Sequence, residues 1–344
     1  MKICPECHAI HPHDSMVCPI DGMPLVDCET WPEGAVIQDK YRILARVGQD
    51  MACTVYKALQ IKPEKLRALK VMNRDMASNR AFVDLFKQDA LHRKKLRHAN
   101  VAHIVGIDEM DDGRPFIIME YVEGRNLQEI IRQDAPLAPL RAGAIARQVA
   151  AALEAAHALG MVHRDVKPES IFVSQGSDGE KVKLLGFGIA QLKEARLGGR
   201  FRTSPEAVIG TFQYLSPEQA LGQLRDELDG RTDLYSLGVI MYEMLTGALP
   251  FQATTAADWM TAHIQGIPTP IRVAHADLAI PDVLTNLVMQ CLKKDRQSRP
   301  ASAREFIREI ERVENELERA EKAEPSSAQP SAPHKSPGWK FWKS

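Results

Sequence analysis

The first 28 residues contain four of the chain's six cysteines, at a spacing that suits a metal ion. Cys4 and Cys7 form a C-x-x-C pair, and Cys18 opens a second turn, CPIDG, in which Asp21 stands where a second C-x-x-C would end. Two such turns can aim four side chains at one tetrahedral centre, and a segment too short to bury a core would take its folding energy from the bound metal. The spacing therefore predicts a Zn²⁺ site formed by Cys4, Cys7, Cys18 and Asp21.

The fourth ligand is the open point of this predicted site. The residues that compete with Asp21 for this role are His8, His11, His13 and Cys28. An unstructured leader with free cysteines is the alternative to any metal site. Four protein ligands would leave no open coordination position, so the role of this segment would be structural or partner-binding. A C-x-x-C pair without an export signal also favours a metal over disulfides and predicts the reducing cytosol as the compartment.

A second group of polar residues lies in two short stretches, VHRDVKPES at 162–170 and KLLGFGIAQ at 183–191. The first stretch resembles the catalytic loop of the eukaryotic-like Ser/Thr protein kinases, with His163-Arg164-Asp165 followed by Lys167. Other motifs follow in the order of that family: LRALKV with Lys70, IIMEYVEG, GTFQYLSPEQA with Glu218, RTDLYSLGVIMYEMLTG with Asp233, and SRP with Arg299, the expected ion-pair partner of Glu218. The pattern is most like the bacterial branch, and the resemblance covers about residues 40–312.

This resemblance implies roles for individual residues. Lys70 would contact the α- and β-phosphates of ATP and would be held by an acid on the following helix, which aligns with Asp89. Asp165 would accept the proton of the substrate hydroxyl, and Lys167 would steady the γ-phosphate. The adenine slot would be formed by Val47, Val55 and Ala68, the backbone of Glu120 and Val122, and Phe172 as its floor.

The sequence departs from the family pattern where the family handles metal and phosphate. Gly186 replaces the Mg²⁺-binding aspartate, and Ser170 replaces the Mg²⁺-binding asparagine with a weak neutral ligand. The Gly-rich loop reads GQDMAC at 48–53, which keeps only its first glycine and places Asp50 near the triphosphate. Asp89 is one methylene shorter than the family's glutamate. Mg²⁺ is therefore not expected to bind as it does in the family, and any ATP binding is expected to be weak or metal-independent.

The alignment also places Arg93 where the family has an apolar residue that packs on the phenylalanine at 187. A buried guanidinium without a partner would cost several kcal/mol. We therefore expect the helix to be rotated or displaced, with Arg93 reaching solvent or an acid.

Two functions follow from these observations. The first is a pseudokinase, a signalling or scaffolding module with protein partners and weak or metal-independent nucleotide binding. It is favoured by the combined changes at Gly186, Ser170 and the Gly-rich loop. The alternative is an active or low-activity ATP-dependent Ser/Thr protein kinase. It is favoured by the retention of Lys70, Asp165 and Lys167.

Hydrophobic periodicity predicts the elements that position these residues. YRILARVG, TVYKALQ, LRALKVMN and RPFIIMEYV have strand patterns, and AFVDLFKQDALHRKKLRH has helical spacing. DLYSLGVIMYEMLTG is apolar nearly all round, which predicts a central core helix. The last helix, about 301–322, alternates Glu and Arg and is expected to be exposed. The predicted fold class is α+β: a bilobal protein-kinase fold with a β-rich N-lobe and a helical C-lobe, preceded by a small zinc-ribbon-like module.

Composition suggests where these regions begin and end. The predicted regions are a zinc-ribbon-like knuckle at 1–27, a linker at 28–39, a kinase-like domain at 40–312 with its N-lobe at 40–123 and C-lobe at 124–312, and a helix extension with a disordered tail at 313–344. A net charge of −1 over 344 residues gives no field that would attract nucleic acid or an anionic membrane. No run of 18 apolar residues is present, so no transmembrane segment is expected.

Overall fold

The computed structural model of the chain describes residues 2–3, 10–11, 15–19, 22–27, 30–49, 52–187, 212–224, 227–274 and 277–323. Within these ranges the chain has the predicted two-lobed α+β architecture. Some positions named above lie outside the described residues: Cys4, Cys7, His8, His13, Asp21, Cys28, Asp50, the segment 188–211 and the predicted disordered tail from 324 onward.

The first described residues form a small antiparallel sheet. Its strands are β1 (Lys2–Ile3), β2 (Ile10–His11) and β3 (Val26–Asp27), in the order β2-β1-β3. A single bridge between Val17 and Pro24 closes a turn that contains Cys18. Cys18 is buried and packs with Leu25. So small a cluster contributes little hydrophobic stabilisation.

The N-terminal lobe is built on a larger antiparallel sheet. Its strands are β4 (Val36–Ile37), β5 (Tyr41–Gln49), β6 (Cys53–Gln60), β7 (Lys65–Met72), β8 (Ile104–Glu109) and β9 (Pro115–Glu120), in the order β4-β5-β6-β7-β9-β8. The strand alternation predicted from the sequence is visible in β6, where Tyr56 and Ala58 are fully buried and point to one face. Val55 and Lys57 therefore point to the other face.

Two hydrophobic clusters cover the two faces of this sheet. The first contains Tyr56, Ala58 and Leu69 together with residues that precede β5. The second joins the sheet to a helix, through Phe86 of α2 and Ile117 of β9. The helices of this lobe are α1 (Arg74–Ala77) and α2 (Arg80–Arg93). Because α2 lies against the sheet, residues on its inner face are close to the strands that carry the candidate site.

Part of the segment predicted as a linker, 28–39, packs against the N-terminal lobe. Trp31 is 8% exposed, and its ring meets Tyr56 edge-on at 5.3 Å between centroids. The Trp31 backbone N–H donates to the Tyr56 hydroxyl at 3.2 Å. The guanidinium of Arg114 lies 4.9 Å from the centre of the Trp31 ring, within the range of a cation–π contact. This segment is therefore part of the N-lobe core.

The C-terminal lobe is mostly helical. Its helices are α3 (Leu127–Asp134), α4 (Pro139–His157), α5 (Pro217–Ala220), α6 (Arg231–Thr246), α7 (Ala256–Gln265), α8 (Ile271–Ala274), α9 (Asp282–Cys291) and α10 (Ala303–Ala323). Every residue of α6 from Thr232 to Thr246 is buried, which confirms the predicted central helix. None of the helices within the described ranges is both long and apolar enough to cross a membrane.

The last helix, α10, is less exposed to solvent than predicted. One face of α10 is buried through Ala303, Phe306, Ile310 and Val313, in the same cluster as α4. The Glu and Arg alternation describes only the other face. The prediction of a solvent-exposed helix is therefore wrong for this face, because the apolar residues at three- and four-residue steps form a stripe that α4 covers.

A β-hairpin connects the C-terminal lobe to the cleft between the lobes. It consists of β11 (Ile171–Gly176) and β12 (Gly179–Leu184), and the short strand β10 (Arg125–Asn126) pairs with β11. The loop 162–170 enters this hairpin through a 3-10 turn at Pro168–Ser170, and Gly186 follows β12. The hairpin therefore brings the two chemically suggestive stretches of the sequence side by side.

The packing of Trp31 leads to a stability prediction. Trp31→Ala should lower the free energy of unfolding by about 3 kcal/mol, because it removes a buried indole and leaves a cavity on the sheet. Urea denaturation followed by far-UV circular dichroism measures this change. Val36→Ala is the matched control, because Val36 is 43% exposed in the same segment and should change stability by less than about 0.5 kcal/mol. Equal effects of the two substitutions would contradict the role given to Trp31.

Candidate active site

The loop 162–170 is held by one buried carboxylate, that of Asp233 in the first turn of α6. The backbone N–H groups of His163 and Arg164 donate to its two oxygens at 2.9 and 2.8 Å. His157 Nε2 lies 2.7 Å from Asp233 Oδ2. Burial opposes ionisation of Asp233, but the bond to His157 and the loop amides hold its pKa below the ordinary value. A charged Asp233 therefore fixes the backbone of the loop.

The same bonds support an unusual backbone conformation. Arg164 has a φ of 65°, in the left-handed region that costs a residue with a side chain about 1 kcal/mol or more. The Gln219 side chain adds a third bond to the loop, donating to the Arg164 carbonyl at 2.8 Å. Contacts from α5 and α6 thus determine the path of the chain immediately before Asp165.

His163 connects this loop to the segment around Gly186. Burial lowers the pKa of His163, so the ring is neutral at pH 7. Its Nδ1 accepts from the Asp165 backbone N–H at 3.2 Å, and Nε2 therefore donates to the Leu185 carbonyl at 2.8 Å. The ring also meets Phe187 edge-on at 4.4 Å. One side chain thus sets the position of the loop relative to the residues on either side of Gly186.

Asp165 and Lys167 lie together on this loop, as the sequence predicts for a catalytic pair. Lys167 Nζ is 3.8 Å from Asp165 Oδ2, and the two side chains are 22% and 9% exposed. The separation exceeds hydrogen-bond distance, so the pair is a loose charge contact. A carboxylate and an ammonium therefore lie next to each other on the loop.

The two predicted metal positions, Ser170 and Gly186, carry neither a carboxylate nor an amide oxygen in their side chains. The Ser170 hydroxyl donates to the Lys167 carbonyl at 2.7 Å, and Ser170 Oγ accepts from the Lys167 backbone N–H at 3.3 Å. This oxygen is thus engaged in the turn that it closes. Gly186 offers no side-chain oxygen, and Mg²⁺ needs carboxylate or similar oxygen ligands. Among the described residues, no group of three or more His, Cys, Asp and Glu could hold a metal ion.

Lys70 lies on the face of the sheet that packs against α2. It pairs with Val55 on β6 and with Ile117 on β9, and residues paired across antiparallel strands point to the same face. Ile117 belongs to the cluster that contains Phe86 and Ala90 of α2. Lys70 is 8% exposed and therefore points into the layer between the sheet and this helix.

Asp89, the predicted partner of Lys70, forms an ion pair within its own helix. Arg93 Nη2 lies 2.5 Å from Asp89 Oδ2, and the side chains are 11% and 3% exposed. The expectation that Arg93 reaches an acid is confirmed, and the acid is Asp89. Burial lowers the pKa of Arg93, and the carboxylate of Asp89 partly offsets this effect.

The residues predicted for the adenine slot lie on neighbouring elements. Val47 is on β5, Val55 on β6 and Ala68 on β7, and these strands are adjacent in the sheet. Glu120 ends β9, Val122 follows it, and Phe172 lies on β11 of the C-terminal lobe. Val55 and Ala68 point to the face that also carries Lys70, because Val55 pairs with Lys70 and Ala68 is two residues away on the same strand.

The side chain of Glu120 has a role that the sequence did not predict. Lys183 Nζ lies 2.8 Å from Glu120 Oε1, and His103 Nδ1 lies 2.9 Å from Oε2. Burial alone would raise the pKa of Glu120, but the bonds from Lys183 and His103 hold it below the ordinary value. Lys183 is on the strand that leads to Gly186, so this ion pair ties the end of β9 to that strand. The partners are far apart in sequence, and no local spacing reports their contact.

The ion pair predicted between Glu218 and Arg299 is confirmed. Arg299 Nη1 and Nη2 donate to the two Glu218 oxygens at 2.8 Å each, and both side chains are buried. The Thr232 hydroxyl donates to Glu218 Oε1 at 2.8 Å. Burial opposes the charge of Glu218, but the bidentate bond from Arg299 holds its pKa below the ordinary value. This pair joins α5 to the segment before α10.

Comparison with known protein families finds a protein kinase domain over residues 41–310. Among curated relatives, the serine/threonine-protein kinase pkn3 of Myxococcus xanthus is 37% identical over 300 residues, which cover 87% of this chain and 54% of that protein. PknB of Mycobacterium tuberculosis is 33% identical over 282 residues, covering 81% of this chain and 44% of PknB. This chain spans about half the length of these curated relatives.

A solved structure has the same fold. The crystal structure of the Mycobacterium tuberculosis PknI kinase domain matches with a TM-score of 0.61 and 24% sequence identity. The match covers 82% of this chain and 99% of that domain. The bilobal architecture described above is therefore the protein kinase fold.

The Glu218–Arg299 pair leads to a stability prediction. Arg299→Leu should lower the free energy of unfolding at pH 7 by about 3 to 5 kcal/mol, because it leaves a buried carboxylate without its partner. The pKa of Glu218 is lowered by folding, so the pair contributes fully above the ordinary carboxyl value of 4.5 and its contribution is lost as the pH falls through the lowered value. The difference in the free energy of unfolding between Arg299→Leu and the wild type should therefore shrink as the pH falls through the lowered pKa of Glu218.

Urea denaturation at several pH values measures this difference. Arg312→Leu is the matched control, because Arg312 pairs with Glu309 on an exposed face of α10 and is itself 63% exposed. Its effect should stay below about 1 kcal/mol at every pH. A pH-independent loss in Arg299→Leu would contradict this account of the pair.

Proposed function

This chain belongs to the protein kinase family, and we propose that it is a pseudokinase of the bacterial Ser/Thr kinase branch, which binds nucleotide weakly and without Mg²⁺. In this proposal it acts as a signalling or scaffolding module whose partners are proteins in the cytosol. Its curated relatives are bacterial Ser/Thr protein kinases. The kinase fold by itself decides neither activity nor partner, so the proposal depends on the site.

The proposal depends mainly on the lack of Mg²⁺-ligating side chains at the two positions that bind metal in the family. Gly186 has no ligand oxygen, and the Ser170 hydroxyl is engaged with the Lys167 backbone at 2.7 Å. In protein kinases the two Mg²⁺ ions neutralise the charge of the transferring phosphoryl group, and side chains at these two positions hold them. A site without either ligand loses most of that neutralisation. Phosphoryl transfer is therefore expected to be absent or very slow.

Nucleotide binding does not require the lost ligands. The adenine ring would bind to the backbone of Glu120 and Val122, and the phosphates would meet the positive charge of Lys70. A lysine ammonium attracts phosphate oxygens without metal, although one charge compensates a triphosphate only in part. Binding that is weak and indifferent to Mg²⁺ is the expected result.

Residual kinase activity is the alternative, and a specific observation favours it. Asp165 and Lys167 are retained, lie next to each other, and occupy a loop whose backbone is fixed by Asp233. An aspartate in this position can orient a hydroxyl nucleophile, and positioning is a large part of catalysis in this family. A low-activity ATP-dependent Ser/Thr kinase would use Lys70, Asp165 and Lys167.

Two measurements on the full chain separate these functions. Isothermal titration with ATP should give the same weak affinity in Mg²⁺ and in EDTA. Transfer of radiolabelled phosphate to the chain itself or to a generic basic protein should not exceed that of Asp165→Asn. Transfer that depends on Asp165 would refute the pseudokinase proposal and support the alternative. No binding in either buffer would refute the nucleotide part of the proposal.

Restoring the family's metal ligands tests directly whether their loss limits nucleotide binding. Gly186→Asp combined with Ser170→Asn should tighten ATP binding in Mg²⁺ by about tenfold, which corresponds to about 1.4 kcal/mol, and should leave binding in EDTA unchanged. Gly186 has a φ of 93°, a left-handed conformation that aspartate accepts more readily than most residues. Ser174→Asn on β11 is the matched control and should not change Mg²⁺ dependence. An unchanged affinity would show that the metal positions are not what limits binding.

The proposal includes Zn²⁺ in residues 1–27, bound by Cys4, Cys7, Cys18 and Asp21. The described part of this segment supports it through the turn that begins at Cys18. The Cys18 backbone N–H donates to the Met23 carbonyl at 2.8 Å, and the Gly22 N–H donates to the Cys18 carbonyl at 2.9 Å. Gly22 has a φ of 75°, which a side chain would strain. Such a tight turn with a buried cysteine suits a structural metal site.

Elemental analysis of the purified chain tests this part of the proposal. About one Zn²⁺ per chain is expected, and Asp21→Ala should lower the zinc content or its retention against a chelator. Asp14→Ala is the matched control in the same segment and should retain the metal. A zinc-free protein with an intact N-terminal segment would refute the site, and full retention in Asp21→Ala would assign the fourth ligand to another residue.

A further inference from the structure

The helix α2 carries a buried charge pair of its own. Asp89 and Arg93 are one turn apart, with Nη2 and Oδ2 2.5 Å apart and side chains only 3% and 11% exposed. The acid precedes the base by four residues, which is the favourable order for such a pair on a helix. The carboxylate that aligns with the lysine-holding acid of protein kinases therefore has a cation bound to it from the same helix.

The buried guanidinium of Arg93 is not fully hydrogen-bonded at this position. Burial lowers its pKa, and the neighbouring carboxylate of Asp89 offsets part of that effect, with a smaller contribution from Cys53. Its Nε finds no hydrogen-bond acceptor among the residues that the structure describes. A guanidinium has five N–H donors, so a single carboxylate leaves it undersatisfied when it is buried. Arg93 therefore depends strongly on Asp89.

Lys70 points into the same layer. Its cross-strand neighbour Ile117 packs on Phe86 and Ala90, and Ala90 is adjacent to Asp89 on α2. In active protein kinases the equivalent lysine must pair with the helix acid to hold the phosphates. In this chain two cations border the layer between the sheet and α2, Lys70 on β7 and Arg93 on α2 itself, and the corresponding acid, Asp89, has a short side chain.

We propose that Arg93 is a positioning residue that competes with Lys70 for the Asp89 carboxylate and so weakens the hold of the site on nucleotide phosphates. This inference rests on the proposed nucleotide site and adds a second obstacle to the loss of the metal ligands. It acts through the lysine and not through the metal, so it operates equally in Mg²⁺ and in EDTA.

The affinity test uses the full chain and ATP in EDTA. Arg93→Leu should tighten ATP binding by at least about fivefold, the lower end of typical coupling between sites, because Asp89 becomes available to Lys70. Arg93→Lys keeps a cation beside Asp89 and should retain the wild-type affinity. Lys94→Leu removes the same charge from an exposed neighbouring position and is the matched control. If Lys94→Leu tightens ATP binding as much as Arg93→Leu does, the effect is explained by the change in net charge, and the inference is overturned.

The same measurement in an Asp89→Asn background tests whether the effect of Arg93→Leu on ATP affinity requires the Asp89 carboxylate. Without the carboxylate there is nothing to compete for, so Arg93→Leu should no longer tighten ATP binding. If Arg93→Leu tightens binding equally with and without Asp89, the competition is refuted. If it changes the melting temperature but leaves ATP affinity unchanged, Arg93 is only a structural residue and the inference is also refuted.

A double-mutant cycle without nucleotide tests the competition for Asp89 separately from nucleotide binding. The melting temperature is measured for Lys70→Met in the wild-type chain and in Arg93→Leu. Competition predicts that Lys70→Met costs more stability in the Arg93→Leu background, where Arg93 no longer competes for Asp89. Additive effects would overturn the competition. Absence of ATP binding in every variant would instead refute the nucleotide site, whatever the cycle shows.

Discussion

The buried carboxylate of Asp233 fixes the part of the molecule on which its chemistry depends. It lies at the beginning of α6, where the helix dipole favours a negative charge, and it accepts from two consecutive amides of the loop 162–170. The central helix can have this role because the C-terminal core surrounds it completely. Removing this carboxylate would take away the acceptor of both N–H groups and would weaken the restraint on the left-handed conformation of Arg164.

None of these bonds involves a metal or a phosphate. The bonds that position the His163 ring and the Glu218–Arg299 pair are formed between protein groups. The side chains at the metal positions have no part in the folding of that framework apart from the turn closed by Ser170. A chain can therefore lose the metal ligands and keep the kinase architecture, because stability and phosphoryl chemistry depend on different residues.

Sequence patterns predicted the elements and contacts that local periodicity or a family motif reports. The strands of the N-terminal sheet, the central helix α6 and the Glu218–Arg299 pair are of this kind. The patterns did not reveal the contact of Lys183 with Glu120, because a salt bridge between residues 63 positions apart leaves no periodic signal. They also did not reveal the packing of Trp31, because it depends on a complementary surface elsewhere in the chain. The buried face of α10 does have a local signal, the three- and four-residue spacing of its apolar residues, but the Glu and Arg alternation of the other face obscured it. The competition for Asp89 needed the observed ion pair, since an alignment supplies no distances.

The packing of Trp31 has a consequence for the cysteine-containing module that precedes it. The last strand of that module ends at Asp27 and Trp31 is buried on the N-terminal lobe, so four peptide units connect them. Fully extended, they span at most about 14 Å. A connection this short gives the module an effective concentration on the order of millimolar or higher beside the N-terminal lobe. A molecule bound to the module would thereby be held beside the N-terminal sheet at the same local concentration, even if its own affinity for that sheet were negligible.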